Sequence, residues 1–231
     1  MNCYLCNSTS FTKRNGQVRD APKLQILECD QCGLVTLSSL AHIQSGFYEA
    51  SGMHGPEPVP MESWLKDTAS DDQRRVDTLR PLMVNTKLLD FGCGAGGFLS
   101  KAQPIAGSVA GIELEKRVQD YWKGRINIHP DVDSAGDGYD LITAFHVLEH
   151  LPDPVAMLQT LARLLAKNGR MVVEVPSSED ALLTLYDSSA FQRFTYWSQH
   201  LFLFNADTLR QIADRAGLRI IAIDSTVPGY H

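Results

Sequence analysis

The sequence predicts an α/β fold: a doubly wound, mostly parallel sheet preceded by a small cysteine-held ribbon. Three observations predict it. From residue 75 onward, short β-prone runs alternate with helical ones, the pattern of a parallel sheet with right-handed crossovers and helices on both faces. A glycine-rich loop, Gly92-Cys93-Gly94-Ala95-Gly96-Gly97, follows the first of these strands. Two CxxC pairs, Cys3/Cys6 and Cys29/Cys32, open the chain. The 231 residues accordingly divide into a ribbon over 1–38, a connector and helix over 39–74, and a sheet domain over 75–231 with an insert at 177–204.

Four thiolates in two knuckles fit a closed tetrahedral zinc site, hence a structural metal. A segment of about 35 residues buries little core, and a metal supplies the missing stability. A rubredoxin-like iron site is the rival. Gly33, just after the second knuckle, suits a turn that needs positive φ. The connector from Ser38 to Trp64 carries Gly46, Gly52, Gly55, Pro56, Pro58 and Pro60 and should be irregular. Together with the helix expected over Ser63–Met83, it is expected to cover the site.

The sheet domain reads in order. Strands are expected at Lys87–Gly92, Val109–Leu114, Ile126–Ile128, Tyr139–Phe145, Met171–Val175 and Leu218–Asp224, with helices at Gly97–Gln103 and Glu115–Lys123 between the first three. Asp153 and Pro154 open a helix whose apolar face is Val155, Leu158, Leu161, Ala162 and Leu165, and Gly169 is expected to close it. Asn205 caps a helix running through Ala216 and stopped by Gly217.

Composition narrows the function classes. The net charge of −6 weakly disfavours a broad nucleic-acid surface, although Lys13, Arg14, Arg19 and Lys23 cluster early. No apolar run reaches the ~18 residues of a membrane span, and the N-terminus lacks a signal-peptide pattern. The expectation is a cytoplasmic protein without a membrane partner.

The glycine loop also matches the dinucleotide pattern through Gly92, Gly94 and Gly97, which leaves a nicotinamide or flavin cofactor as an alternative. Two carboxylates favour another ligand. Asp90 stands two residues before the first glycine; it would repel a pyrophosphate and hold an ammonium. Glu113 ends the second strand, where it can accept hydrogen bonds from ribose hydroxyls. S-adenosylmethionine has a ribose and an ammonium but no phosphate.

With the run Tyr139-Asp140-Leu141-Ile142-Thr143-Ala144-Phe145-His146-Val147-Leu148-Glu149-His150-Leu151-Pro152-Asp153-Pro154, these residues resemble the class I S-adenosylmethionine-dependent methyltransferases, a Rossmann-like family. The resemblance implies that Gly92, Cys93, Gly94 and Gly96 pack on the methionine part of the cofactor. It implies that Glu113 binds the ribose and that Asp131 lies by the adenine. Asp90 and Phe145 join this cofactor-binding set. The family's antiparallel seventh strand is expected to be missing from its usual place, because only Ser225–His231 follow the sixth and include Pro228 and Gly229. A partner subunit could supply it, so oligomerisation is an option. The CxxC pairs are similar to those of sugar C-methyltransferases. The spacing of His146, Glu149 and His150 resembles ubiquinone-pathway O-methyltransferases, whose Glu-x-x-Glu-His pattern is associated with a divalent cation; His146 replaces the first Glu.

The segment His146–His150 leaves the fourth strand at its carboxyl end, where ligands bind in open α/β sheets. Methyl transfer needs alignment, and a neutral hydroxyl acceptor needs a base, for which His suits neutral pH. His150 is the expected base, with Glu149, His146 and His200 in support. The alternative is that His146 and Glu149 contact the cofactor backbone or cap the turn. Aromatic and polar groups of the insert, among them Phe194, Trp197 and Gln199, suit a sugar or aromatic acceptor or pack the insert on the domain. The expected function is methyl transfer from S-adenosylmethionine to a hydroxyl of a small polar acceptor, a sugar or glycosylated metabolite. Alternatives are C-methylation of a nucleotide-sugar, methylation of RNA or protein recognised by the ribbon, and a non-enzymatic cofactor-binding scaffold.

Overall fold

A computed structural model of the chain describes residues 1–43 and 59–225. The elements in order are β1 (Phe11–Lys13), β2 (Ile26–Cys29), β3 (Val35–Leu37), α1 (Met61–Met83), β4 (Lys87–Phe91), α2 (Gly97–Ala102), β5 (Ser108–Ile112), α3 (Lys116–Trp122), β6 (Asn127–His129) and β7 (Tyr139–Phe145). A 3-10 turn (Leu148–His150), α4 (Pro154–Leu164), β8 (Leu165–Glu174), α5 (Ala181–Thr184), α6 (Ser189–Thr195), β9 (Phe202–Leu203) and α7 (Ala206–Arg215) follow. They gather into two compact units. A sheet unit takes residues 45–145, 160–173 and 224–231; a ribbon unit takes 1–44, 146–159 and 174–223. The units do not follow the three consecutive segments expected from the sequence, because the insert groups with the ribbon.

In the sheet unit the strand order is β6-β5-β4-β7-β8. β4 pairs in parallel with β5 on one side and β7 on the other, and β5 with β6. The order therefore reverses beside β4, as a doubly wound sheet requires. Leu88, Leu89, Leu141 and Ile142 are almost wholly buried, as in strands covered on both faces. α1 turns Asp72, Val76, Leu79 and Met83 inward, one stripe at helical spacing. The apolar members of that stripe join Phe98, Leu99, Val118 and Trp122 in the core.

In the ribbon unit the sheet order is β1-β2-β3-β9, all antiparallel. Its last strand comes from the insert, with Val35 opposite Leu203 and Thr36 opposite Phe202. Asn205 opens α7 with a capping box, its side chain accepting from Thr208 N while the Thr208 hydroxyl accepts from Asn205 N. Gly217, at φ +74°, ends that helix as expected.

Two expectations fail. Gly169 does not close a helix: α4 ends at Leu164, and Gly169 lies inside β8. A Cβ there would sit 2.6 Å from the Tyr139 carbonyl, so the residue permits close backbone approach within the sheet. The sixth strand is also absent: Leu218–Asp224 form no regular element, and Ile221 is 67% exposed. β8 is the outer strand of the five-stranded order, and this run is not paired to it. The expected lack of a seventh strand falls largely on residues 226–231, and most of the connector on 44–58; both stretches lie outside the described residues. Among the described residues, no helix is long and apolar enough to cross a membrane.

Candidate active site

The glycine loop stands at the carboxyl end of β4. Gly92 N and Cys93 N both donate to the Ile112 carbonyl at the end of β5, at 2.9 and 3.0 Å. This ties the loop to the neighbouring strand. Gly96 caps α2 at φ +78°, and a Cβ there would meet the Trp122 indole nitrogen at 2.5 Å; both the backbone and the space demand glycine. Trp122 in turn donates to the Ala95 carbonyl at 2.8 Å. The Cys93 sulfur packs against Gly111, whose added Cβ would lie 2.7 Å from it, so Cys93 gives the loop its backbone while its thiol fills the core.

Asp90 and Glu113 bracket this loop. Asp90 is buried, and its Oδ1 accepts from the Thr143 hydroxyl at 2.7 Å. Burial drives its pKa up to about 7 against the Thr143 hydrogen bond and the Arg75 charge. Glu113 accepts from Gly94 N at 2.9 Å and from Glu115 N at 3.1 Å. Its pKa is also raised, by burial outweighing these two backbone donors. Each oxygen of Glu113 keeps a further lone pair for a ligand hydroxyl. Phe145, at the end of β7, packs edge-on against Phe98 with ring centroids 4.9 Å apart. Asp131 is exposed in the turn after β6, where it accepts from Ser134 N at 2.8 Å.

The helix that became α1 was expected to cover the site, but the individual residues of this layer, and its part from α3, were not picked out in the sequence. Trp64 lies over the loop, 3.3 Å from where a Cβ of Gly94 would stand. The Arg117 guanidinium stacks on Trp64 at 4.9 Å. Arg75 stacks on Phe145 at 4.6 Å and pairs with Asp72 at 3.8 Å. The signal for this layer was present in Thr68, Asp72 and Arg75, spaced by four and three along the stripe that includes Val76 and Leu79.

In the ribbon unit, Cys3 Sγ lies 3.5 Å from Cys32 Sγ, and Cys6 Sγ lies 3.5 Å from Cys29 Sγ. All four sulfurs fall within 4.8 Å of one another. The two 3.5 Å separations are close to the ~3.8 Å edge of a tetrahedron whose metal–sulfur distance is about 2.3 Å, so the residues fit a tetrahedral metal.

The histidine segment starts with His146, at φ +55°. Its Nδ1 is 3.3 Å from Glu149 Oε1 and its Nε2 is 3.2 Å from Glu174 Oε1. Both nitrogens therefore donate, and the ring is an imidazolium. Partial burial opposes that charge, but the two carboxylates hold the pKa of this half-exposed ring up at about 9. His146 is thus a cation holding Glu149, not a proton acceptor. Glu149 is fully buried, and among the described residues its Oε2 has no hydrogen-bond partner. Burial pushes its pKa up, but the hydrogen bond from His146 and the charge of that ring bring it below the ordinary carboxylate value.

His150 and His200 are different. His150 Nδ1 is 2.9 Å from the Gln199 carbonyl, and His200 Nδ1 is 2.7 Å from the Thr195 carbonyl. A carbonyl only accepts, so each ring carries its proton on Nδ1 and its basic lone pair on Nε2. The rings meet edge-on at 4.9 Å. Burial lowers both pKa values, that of His200 to about 4. Both are neutral near pH 7. One ligand atom from each of Glu149, His150 and His200 lies within 4.8 Å of the others, close enough to share a cation.

Comparison with known proteins gives a family. A family model described as a methyltransferase domain matches residues 62–223, more than half of the chain. The ubiquinone biosynthesis O-methyltransferase of Aeromonas salmonicida is 26% identical over 157 residues, covering 61% of this chain and 60% of that protein. The protein of the same name from Thiobacillus denitrificans is 34% identical over 110 residues, covering 42% and 46%. The chain thus spans only about half the length of these relatives. Among solved structures, the complex of the Haloferax volcanii Trm112 methyltransferase activator with a methyltransferase matches with a TM-score of 0.55 at 17% identity, over 71% of this chain and 77% of that one. The plantazolicin methyltransferase BpumL in complex with S-adenosylhomocysteine matches with a TM-score of 0.52 at 16% identity, over 72% of each chain. These two likenesses concern the fold.

Proposed function

This chain belongs to the S-adenosylmethionine-dependent methyltransferases, and we propose that it moves a methyl group from that cofactor to a hydroxyl of a small acceptor. The observation that carries this reading is the left-handed glycine loop bracketed by two carboxylates, the buried Asp90 and the half-buried Glu113. Asp90 takes the ammonium of the cofactor, and Glu113 takes its ribose hydroxyls. S-adenosylmethionine supplies an already activated methyl group when bound. The work left to the chain is to align the acceptor and remove its proton. His150 is the base, through Nε2; its Nδ1 proton is held by Gln199 O. His200 stands beside it as the second candidate.

Transfer to oxygen is supported by the names of the two relatives. Those names point to no sugar, and the acceptor is a small hydroxyl compound. Cys3, Cys6, Cys29 and Cys32 hold one zinc ion, a structural metal with no open position.

Calorimetry with S-adenosylhomocysteine tests the cofactor assignment. Asp90→Ala and Glu113→Ala should each weaken binding by about 1.5–3 kcal/mol, the worth of a charged hydrogen bond; unchanged affinity in both refutes it. Release of S-adenosylhomocysteine, measured against a panel of phenols, catechols and sugars, tests the acceptor. With an acceptor in hand, His150→Ala should lower turnover while leaving cofactor affinity nearly intact; full turnover in that variant refutes the base. Metal analysis should return about one zinc per chain.

A further inference from the structure

We propose that the cysteine ribbon is the mount for the His150–His200 pair, through its grip on residues 195–201 of the insert. The ribbon holds this stretch at several points. In the β1–β2 loop, Asp20 Oδ1 accepts from Ser198 N at 2.9 Å and its Oδ2 accepts from the Ser198 hydroxyl at 2.6 Å. Arg19 N donates to the Tyr196 carbonyl at 3.0 Å, and its guanidinium lies 4.4 Å over the Trp197 ring. From β3, the Thr36 hydroxyl and Leu37 N both donate to the Leu201 carbonyl, at 3.1 and 3.3 Å.

The other side of the same stretch holds the catalytic candidates. Thr195 O fixes His200, Gln199 O fixes His150, and Leu201 N donates to the Glu149 carbonyl at 2.7 Å. Serine 198 and glutamine 199 are consecutive, so the Asp20 contact is one residue from the carbonyl that sets the His150 tautomer. β9 has two residues and β3 has three, too few to persist without the rest of their sheet. The order of residues 195–201 therefore depends on the ribbon, and the order of the ribbon on its metal. The last link rests on the zinc reading above. The ribbon is then a positioning element for the reaction rather than a module for recognising a separate partner.

The full chain tests this in two arms. Asp20 is exposed, so Asp20→Ala should fold with its cysteines intact. Imidazole nitrogen NMR should show the His150 Nδ1–H tautomer signal broadened or lost. The His200 titration should rise from about 4 toward the free value of about 6.5. Asp20→Asn keeps an acceptor for Ser198 N and should restore most of the native spectrum. Affinity for S-adenosylhomocysteine should stay within about twofold. In the second arm a chelator removes the metal, checked by mass spectrometry, and the same histidine changes should appear. Histidine spectra unchanged in both arms overturn the proposal. So does a loss of cofactor affinity that accompanies the histidine change, because the effect would then not be confined to the mount. Protein that purifies without metal refutes the zinc reading, and the Asp20 arm still decides the mount.

Discussion

Asp90 and Glu149 are both carboxylates withdrawn from solvent, one in each compact unit, and their pKa values move in opposite directions. Asp90 is pushed up to about 7; Glu149 is held below the ordinary carboxylate value. Burial acts the same way on both. The difference is the partner. Glu149 faces an imidazolium wedged between two carboxylates, whereas the hydrogen bond that Asp90 accepts comes from a neutral hydroxyl. The sheet unit thus keeps a carboxyl whose charge a cationic ligand would restore, and the ribbon unit has its cation built in. Burial sets the cost of a charge, and the neighbour decides whether the charge is kept.

The largest test of this contrast is stability. Glu149→Gln should cost about 3 kcal/mol in chemical denaturation, the low end for a broken buried pair because His146 is half exposed. Asp90→Asn should cost about 1 kcal/mol or less, since a neutral isostere can keep the Thr143 bond. Equal losses would break the comparison. The second test is binding, where the order should reverse. Asp90→Asn should weaken S-adenosylhomocysteine binding by about 1.5–3 kcal/mol, whereas Glu149→Gln should leave it nearly unchanged.

The third test is pH. His146 keeps its proton up to about 9 in the folded state and only to about 6.5 when unfolded. Its contribution is therefore full below pH ~6.5 and lost as pH rises through ~9. Denaturation midpoints should decline across that window, and His146→Gln should flatten the decline. Asp90, raised from about 3.9 to about 7, has the same sign in a lower window: its contribution is lost as pH rises through ~7. His200, depressed to about 4, has the opposite sign and loses its contribution as pH falls from about 6.5 toward 4. The smallest test is Thr143→Val. It should cost about 1 kcal/mol and raise the Asp90 pKa further, read by carboxyl NMR; a lowered pKa would show that the hydroxyl does not stabilise the anion.

Some of this could be read along the chain. β4, the glycine loop and Glu113 are local or one element apart, and each announces itself by residue type: hydrophobic run, glycines, carboxylate at a strand end. The four cysteines carry their geometry in their spacing, and Asn205 and Gly217 delimit α7 by capping chemistry alone. The charge states of the histidines could not be read this way. His150 was the expected base with His146 and His200 in support, but His146 meets Glu174, 28 positions away, and becomes a cation. His150 takes its tautomer from a carbonyl 49 residues distant.

The sequence by itself therefore determined the alternation of strands and helices, the place of the glycine loop and the pairing of the four cysteines into two knuckles, because these follow from short-range sterics, periodicity and spacing. Only the tertiary structure decided that β9 completes the sheet of the ribbon, 165 residues along the chain from the Thr36 hydroxyl that holds Leu201. It decided that Gly169 serves a strand and not a helix end, and that Leu218–Asp224 stay outside the sheet. It also decided which buried carboxylate keeps its charge. Each of these depends on which groups meet across long separations. A strand is completed by its neighbour, and a buried charge is stabilised by whatever faces it, so neither can be assigned from the residue alone.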